Sequence, residues 1–308
     1  MNPCRLNRGL LFTLFLFLST ILPSSAVAFT ERGFEVVNGE HRLPGTLCLP
    51  DGDVRAAVVF VHGSGPQDRD ETVGPNRFFL SLAHAFAAEG IASLRYDKRT
   101  FVERRAAEGF TYRDESVDDA ICAARLLHEA GYRHIYIVGH SLGGHLAPLI
   151  VDGAREWVEG AVILSGNAFT LTECIRTQVR YLGKQQGLNE ALIQASIDRM
   201  LASLPESYLA FDRDYNATKT AARVATDNPH TRWMVVQGGH DYQVTFADYS
   251  QWTMALGKRA TYFFGPTLDH LLRSLPAMAT PEDYLREGET SPEALAAITA
   301  FILSDTTE

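Results

Sequence analysis

The sequence predicts an α/β protein, a mostly parallel central sheet flanked by helices, with a helical cap insertion. Three observations carry this reading. Apolar runs such as Ala56–Val61 (AAVVFV) match strands buried on both faces of a parallel sheet. These runs alternate with stretches of helical spacing, the pattern of right-handed crossover connections. With 308 residues, 46% of them apolar and 21% charged, the chain can bury a large core and is far from disordered or fibrous compositions.

Residues 1–28 stand apart from that pattern. Arg5 and Arg8 precede Gly9–Leu22, a run without a charge, and the small residues of Ala26-Val27-Ala28 follow. This describes a secretory signal cleaved after Ala28, so residues 29–308 are expected as the mature domain, periplasmic or secreted. An uncleaved anchor is the alternative, but spanning needs roughly 20 apolar residues. No stable membrane insertion is expected after cleavage.

The mature part opens with two β signals near Phe34–Val37 and Thr46–Leu49, joined by a hairpin-type turn at Asn38-Gly39. Strand Ala56–Val61 leads to helix Phe78–Ala88, closed by Gly90, and then to strand Ile91–Leu94. Ser116, with Asp119 three residues on, reads as the N-cap of a helix that turns Val117, Ala120, Ile121, Ala124 and Leu127 inward and stops at Gly131. Strand Ile135–Val138 and helix Leu142–Val151 follow, the helix carrying Pro148, which should kink it. Strands Ala161–Leu164, Met234–Val236 and Thr261–Phe264 complete the sheet, with helices Phe246–Leu256 and Pro292–Leu303. Between Leu164 and Met234 no convincing strand occurs. Cys174–Leu182, Asn189–Leu204 and Ser207–Tyr215 read as helical, so the segment at about 168–228 is expected as a cap over the sheet's edge, because a structureless loop of that size would be unusual.

The formal net charge is −9 and no Lys/Arg-rich block occurs, which argues against nucleic-acid binding. Cys48, Cys122 and Cys174 remain after the signal; they lack metal-site spacing and read as buried free thiols, with one disulfide as the alternative. No His-Glu-x-x-His or similar cluster supports metal-assisted hydrolysis.

Ligands in such sheets sit at the carboxyl ends of the strands, so the chemistry should follow the strands. After Ile135–Val138 comes Gly139-His140-Ser141-Leu142-Gly143. A serine hydroxyl becomes a nucleophile when held proud of the backbone beside a base. A strand–turn–helix elbow does this at the cost of strain, and glycines on its flanks make room for it. The Leu142 N–H, at a helix N-terminus, is one expected oxyanion donor, and the Ser64 N–H of His62-Gly63-Ser64-Gly65-Pro66 is the second. His62 is read as a structural histidine bonding within that loop and bordering the substrate. The acid is assigned to Asp241 in Gln237-Gly238-Gly239-His240-Asp241, since the loop after Ala161–Leu164 (Ser165-Gly166-Asn167-Ala168) holds no carboxylate. The base is assigned to His270, which a long loop can swing back over the sheet; His240 is a weaker competitor because adjacent side chains seldom converge on one hydrogen bond. Phe169, Tyr181, Tyr208, Phe211 and Tyr215 could line a substrate pocket, although aromatics at this density are more often core.

With these residues in order, the sequence resembles the α/β-hydrolase superfamily. It is most similar to secreted bacterial serine hydrolases with stretches like His62–Thr72 (HGSGPQDRDET), Leu94–Thr100 (LRYDKRT) and Gln237–Thr245 (QGGHDYQVT). At lower similarity it resembles dienelactone hydrolases and cinnamoyl and feruloyl esterases. The resemblance spans roughly 31–305 and is weakest in the helical insertion. It implies an α/β-hydrolase fold, a Ser/Asp/His triad, esterase activity on a small-molecule ester and no cofactor. Two departures concern the rim of the site: Thr100 stands where many relatives have Gly, and Gln67–Glu71 is unusually long and charged. Asp68, Arg69, Asp70 and Glu71 read equally as a solvated loop or as substrate-facing, while Asp97, Lys98 and Arg99 are placed to brace these loops by ion pairs. A serine peptidase, a thioesterase and a non-catalytic binding module on the same scaffold are the alternatives.

Overall fold

Strands that are apolar on both faces must be covered on both sides, and Ala56–Val61 (β3) and Ile135–His140 (β7) meet that demand at the centre of the sheet, every residue buried. A computed structural model describes residues 29–104 and 109–304; the expected leader, 1–28, lies outside them. The remaining strands are Phe29–Asn38 (β1), His41–Pro50 (β2), the short hairpin Thr72–Val73 (β4) and Asn76–Arg77 (β5), Ile91–Tyr96 (β6), Gly160–Leu164 (β8), Arg232–Gly238 (β9) and Ala260–Gly265 (β10). Eight of them form one sheet in the order β1-β2-β6-β3-β7-β8-β9-β10. It is parallel from β6 to β10, while β2 is antiparallel to both β1 and β6.

Strand alternation divides the core into two layers. Ala57, Val59 and Val61 face one side with Ile135 and Ile137; Ala56, Val58 and Phe60 face the other with Tyr136 and Val138. The first side is covered by Asp118–Glu129 (α3), Leu142–Gly153 (α4), Ala217–Asp227 (α8) and Phe246–Leu256 (α9). The second is covered by Phe78–Ala88 (α1) and Pro292–Leu303 (α10). A short helix, Arg99–Glu103 (α2), follows β6. Leu171–Gln185 (α5), Glu190–Ala202 (α6) and Glu206–Asp214 (α7) leave the two-layer scheme. Their polar contacts reach loops beyond the strands: Gln178 Nε2 donates to the Gln243 carbonyl at 3.1 Å and Tyr181 Oη to the Ala279 carbonyl at 3.3 Å.

Three expectations are corrected. The hairpin loop is Gly39-Glu40, since Asn38 pairs with His41; Gly39 takes φ 62°, and β1 and β2 run ten residues each rather than four. Ser116 is not an N-cap. Its hydroxyl is buried without a partner, because Thr111 and Asp114 already start the coil one turn earlier as a π-type turn, Arg113–Val117, that feeds α3. The insertion at 168–228 is not all cap: α8 packs on α4 and α9 within the core layer. The helix α4 carries Pro148 inside it without a break. Proline cannot donate to the preceding turn, and the Tyr215 hydroxyl donates to the neighbouring His145 carbonyl there at 2.9 Å.

Cys48, Cys122 and Cys174 are buried free thiols. No helix among the described residues is long and apolar enough to cross a membrane.

Where β8 meets β9, a Cβ at Gly160 would stand 1.9 Å from the Arg232 carbonyl oxygen, whereas one at Gly33 would meet nothing within 4 Å. Gly160→Ala is therefore expected to cost about 1–3 kcal/mol by overpacking. Gly33→Ala is expected to stay within about 0.5 kcal/mol of wild type. Urea midpoints of the two variants check the contrast; equal midpoints would count against the register.

Candidate active site

The chain leaves β7 and enters α4 through one residue, and that residue is Ser141, at φ 53° and ψ −118°. A non-glycine residue pays for such a backbone, and it persists where surroundings over-determine it. Here they do. A Cβ at Gly139 would stand 2.4 Å from the Gly143 carbonyl oxygen, one at Gly143 2.1 Å from the Val61 carbonyl oxygen, and one at Gly144 2.8 Å from the Gly166 Cα. The glycines therefore permit the close approach of β3, β8 and α4 that holds the serine up. The Ser141 N–H is tied to the Leu164 carbonyl at 3.0 Å. Leu142 is the first residue of α4, so its N–H has no partner within the helix.

Asp241 and His270 meet beside this elbow. His270 Nδ1 lies 2.7 Å from Asp241 Oδ2, and both residues are buried. Asp241 Oδ1 also accepts the Gln243 and Val244 N–H groups at 2.8 and 3.0 Å, and Gln237 Nε2 approaches Oδ2 at 3.3 Å, so the carboxylate is held from several sides. With Nδ1 donating to the acid, Nε2 is the ring's free acceptor. The His270 loop is clamped by its neighbours: Asp269 accepts from the Leu271 and Arg273 N–H groups and from the Arg273 guanidinium at 2.7–2.9 Å. Among the described residues the Ser141 hydroxyl makes no hydrogen bond; such contacts are often loose before substrate binds.

The His62–Pro66 loop approaches from the other side, a Cβ at Gly63 standing 3.2 Å from Ser141 Cβ. Its backbone is pinned by buried charge. Glu71 Oε1 accepts the Gly63 N–H at 2.6 Å, and Glu71 Oε2 faces His140 Nδ1 at 3.0 Å. His140 Nε2 in turn donates to the His270 carbonyl at 3.0 Å. A carbonyl can only accept and a carboxylate accepts, so both ring nitrogens act as donors, which is the imidazolium form. Burial pulls His140 down, but the Glu71 carboxylate outweighs it and holds the imidazole above its ordinary 6.5. Burial pushes Glu71 up, and the His140 charge outweighs that, holding it below 4.5. The His62–Pro66 loop, the residue before Ser141 and the His270 backbone are thus joined by one buried pair.

Sequence reasoning missed this pair. Glu71 was one of four charges read as solvated or substrate-facing, and it is neither, at 1% exposure. Arg69 instead clamps Asp97 through both oxygens at 2.8–3.0 Å, and Asp68 accepts the Thr72 N–H at 3.0 Å. A histidine directly before the serine was the available signal. His62 is buried with its ring against Phe79 and Tyr96, bonded to the Asp68 backbone, and burial lowers it to about 4. His240 is turned away, its Nδ1 at 2.9 Å from the Leu275 carbonyl.

The aromatics expected around substrate have packing partners of their own. Tyr208 stands against Phe110 and Tyr112, and Phe211 against Tyr112 and Tyr215. Tyr181 stacks on Tyr242 with centroids 5.0 Å apart and borders a cavity of about 280 Å³ that touches Asp241. Phe169 is fixed through its backbone, its carbonyl accepting from Asn167 at 2.8 Å.

Residues 58–302 match the alpha/beta hydrolase family. The chain is 33% identical over 291 residues to esterase EstD of Thermotoga maritima, covering 90% of this chain and 68% of that protein. Among solved structures it is similar to Est1E from Butyrivibrio proteoclasticus, with a TM-score of 0.56, 15% identity, and 88% and 96% of the two chains covered. It is also similar to a Pyrococcus furiosus esterase, with a TM-score of 0.58, 15% identity, and 89% and 90% covered. A dienelactone hydrolase from Anabaena variabilis gives 0.51 at 18% identity, with 90% and 96% covered. At these identities the structural likeness concerns the fold.

A glutamine at position 71 keeps an acceptor for the Gly63 N–H and can donate to a neutral His140. Glu71→Gln is therefore expected to match wild type in thermal melts at alkaline pH, above the raised His140 value. The raised imidazole contributes fully below 6.5 and the lowered carboxylate fully above 4.5, so the wild-type advantage should be widest between those values and shrink on either side. A difference independent of pH would contradict the ion pair.

Proposed function

The chain belongs to the alpha/beta hydrolase family, and from that premise we propose that it is an exported serine hydrolase cleaving carboxylic esters of small molecules through Ser141, Asp241 and His270. The observation that carries the reading is the 2.7 Å bond between His270 Nδ1 and Asp241 Oδ2 beside the strained Ser141 elbow. The esterase name of the Thermotoga relative supports the ester as substrate class, and the leader-like segment 1–28 supports export.

In this reading the ester carbonyl sits over Ser141. Asp241 holds the His270 ring with Nε2 toward the serine, and Nε2 takes the hydroxyl proton as Oγ attacks the acyl carbon. Charge develops on the carbonyl oxygen, where the Leu142 and Ser64 N–H groups receive it; one such donor is worth about 3 kcal/mol. The tetrahedral species collapses as the imidazolium returns its proton to the departing alkoxide, leaving an acyl-serine. Water then attacks by the same steps and restores the serine. Asp241 keeps the imidazole in the productive tautomer and stabilises its charged form.

Ser141→Ala and His270→Ala are each expected to lower kcat on p-nitrophenyl acetate by about 10⁴-fold or more, and Asp241→Asn by about 10⁴-fold through the wrong tautomer. Steady-state kinetics on the purified variants check this. Wild-type turnover by Ser141→Ala would remove the proposed nucleophile.

A further inference from the structure

Lys98 is 1% exposed, and its ammonium spends all three of its donors inside the protein. Nζ lies 2.8 Å from the Gly63 carbonyl oxygen, 3.1 Å from that of Gly65, and 3.2 Å from Glu115 Oε1. Glu115, itself buried, takes the Thr100 hydroxyl at 2.8 Å on Oε1 and the Tyr208 hydroxyl of α7 at 3.0 Å on Oε2. The Lys98 N–H also binds the Gln67 carbonyl at 3.0 Å, so the loop after β6 is fastened to the loop after β3.

The consequence lies in peptide geometry. In a trans peptide the C=O and the following N–H point in opposite directions. With the Gly63 carbonyl drawn onto Lys98, the Ser64 N–H must face away from it, and no protein acceptor takes that N–H among the described residues. Gly63 itself lies against Ser141, a Cβ on it standing 3.2 Å from Ser141 Cβ and 3.7 Å from its Oγ. Gly63 N–H, held by Glu71, fixes the plane before it.

We propose that Lys98 is a positioning residue of the oxyanion hole, turning the Ser64 N–H toward the oxygen that becomes charged, and that Glu115 ties this setting to the Tyr208 hydroxyl on the cap. This rests on the serine-hydrolase reading above. Lys98 touches no substrate in this arrangement; it acts through the Gly63–Ser64 peptide. A donor aimed at a developing charge favours the transition state over the bound ester, so its loss should appear in kcat and spare KM.

The test compares wild type, Lys98→Met, Lys98→Gln and Ser141→Ala, reading kcat and KM on p-nitrophenyl butyrate, inhibition by phenylboronic acid, which forms a tetrahedral adduct on a serine, and thermal melting. Lys98→Met is expected to lower kcat about 10- to 100-fold, to weaken the boronate by a similar factor, and to leave KM within about threefold. Lys98→Gln, which keeps a neutral N–H donor, should recover part of both losses. If Lys98→Met does not fold, Lys98→Gln is read against wild type for the same split between kcat and KM. Boronate affinity and kcat within twofold of wild type in the folded variant would overturn the proposal, as would losses in which KM rises as much as kcat falls. An active Ser141→Ala would overturn the underlying reading instead, which keeps the two failures distinct.

Discussion

The structure turns on a steric fact at one residue. The chain must pass from β7 into α4 without a loop, and it does so through Ser141 in a backbone conformation that side chains normally avoid. Three glycines around it leave no room for a single added carbon. That close approach fixes where β3 and β8 pass the elbow, and through them the loops that follow each strand. Because the sheet is parallel from β6 to β10, those loops all emerge at the same end, and the site is assembled there by topology before any side chain is chosen.

The loops themselves are set by charge more than by apolar packing. Arg69 with Asp97, Lys98 with Glu115, Arg99 with Asp119, Glu71 with His140 and Arg273 with Asp269 are ion pairs buried wholly or in part that involve residues of these loops. Buried pairs contribute little net stability, because desolvation offsets their attraction, yet removing one partner leaves an uncompensated charge. They therefore penalise the wrong geometry more than they reward the right one. Loops need this, since their backbone N–H and C=O groups lack sheet partners and must be satisfied by side chains. The Gly63 peptide unit, with its N–H on Glu71 and its carbonyl on Lys98, is the clearest case.

Much of this was legible in the amino-acid order, for reasons that mark where legibility stops. β3 and β7 announced themselves because a strand buried on both faces carries no polar residue, and the elbow because only glycines fit its flanks. That Asp241 and His270 approach one another could be inferred because each follows a strand at the same end of the sheet. The acidic run Asp68–Glu71 gave no such guide. Four charges in a loop look solvated until their partners are known, and those partners lie far along the chain: Glu71 finds His140 and Arg69 finds Asp97. Ser116 failed as a cap for a related reason, since Asp114 had already closed the preceding turn onto Thr111. α8 was missed because its apolar face, Ala217, Ala221, Val224 and Ala225, is helically spaced but made of small side chains, which become a core face only against α4 and α9.

The central claim is that Ser141 is made nucleophilic by His270. Labelling the full chain with a fluorophosphonate, followed by mass spectrometry of the tryptic peptides, addresses it most directly, because the reagent captures an activated serine and reports which one. A single phosphonyl adduct on the peptide carrying Ser141, formed rapidly by wild type and at least about a hundredfold more slowly when His270 is alanine, is the predicted result. An adduct on a different serine, or labelling of Ser141 at the wild-type rate without the imidazole, would contradict it.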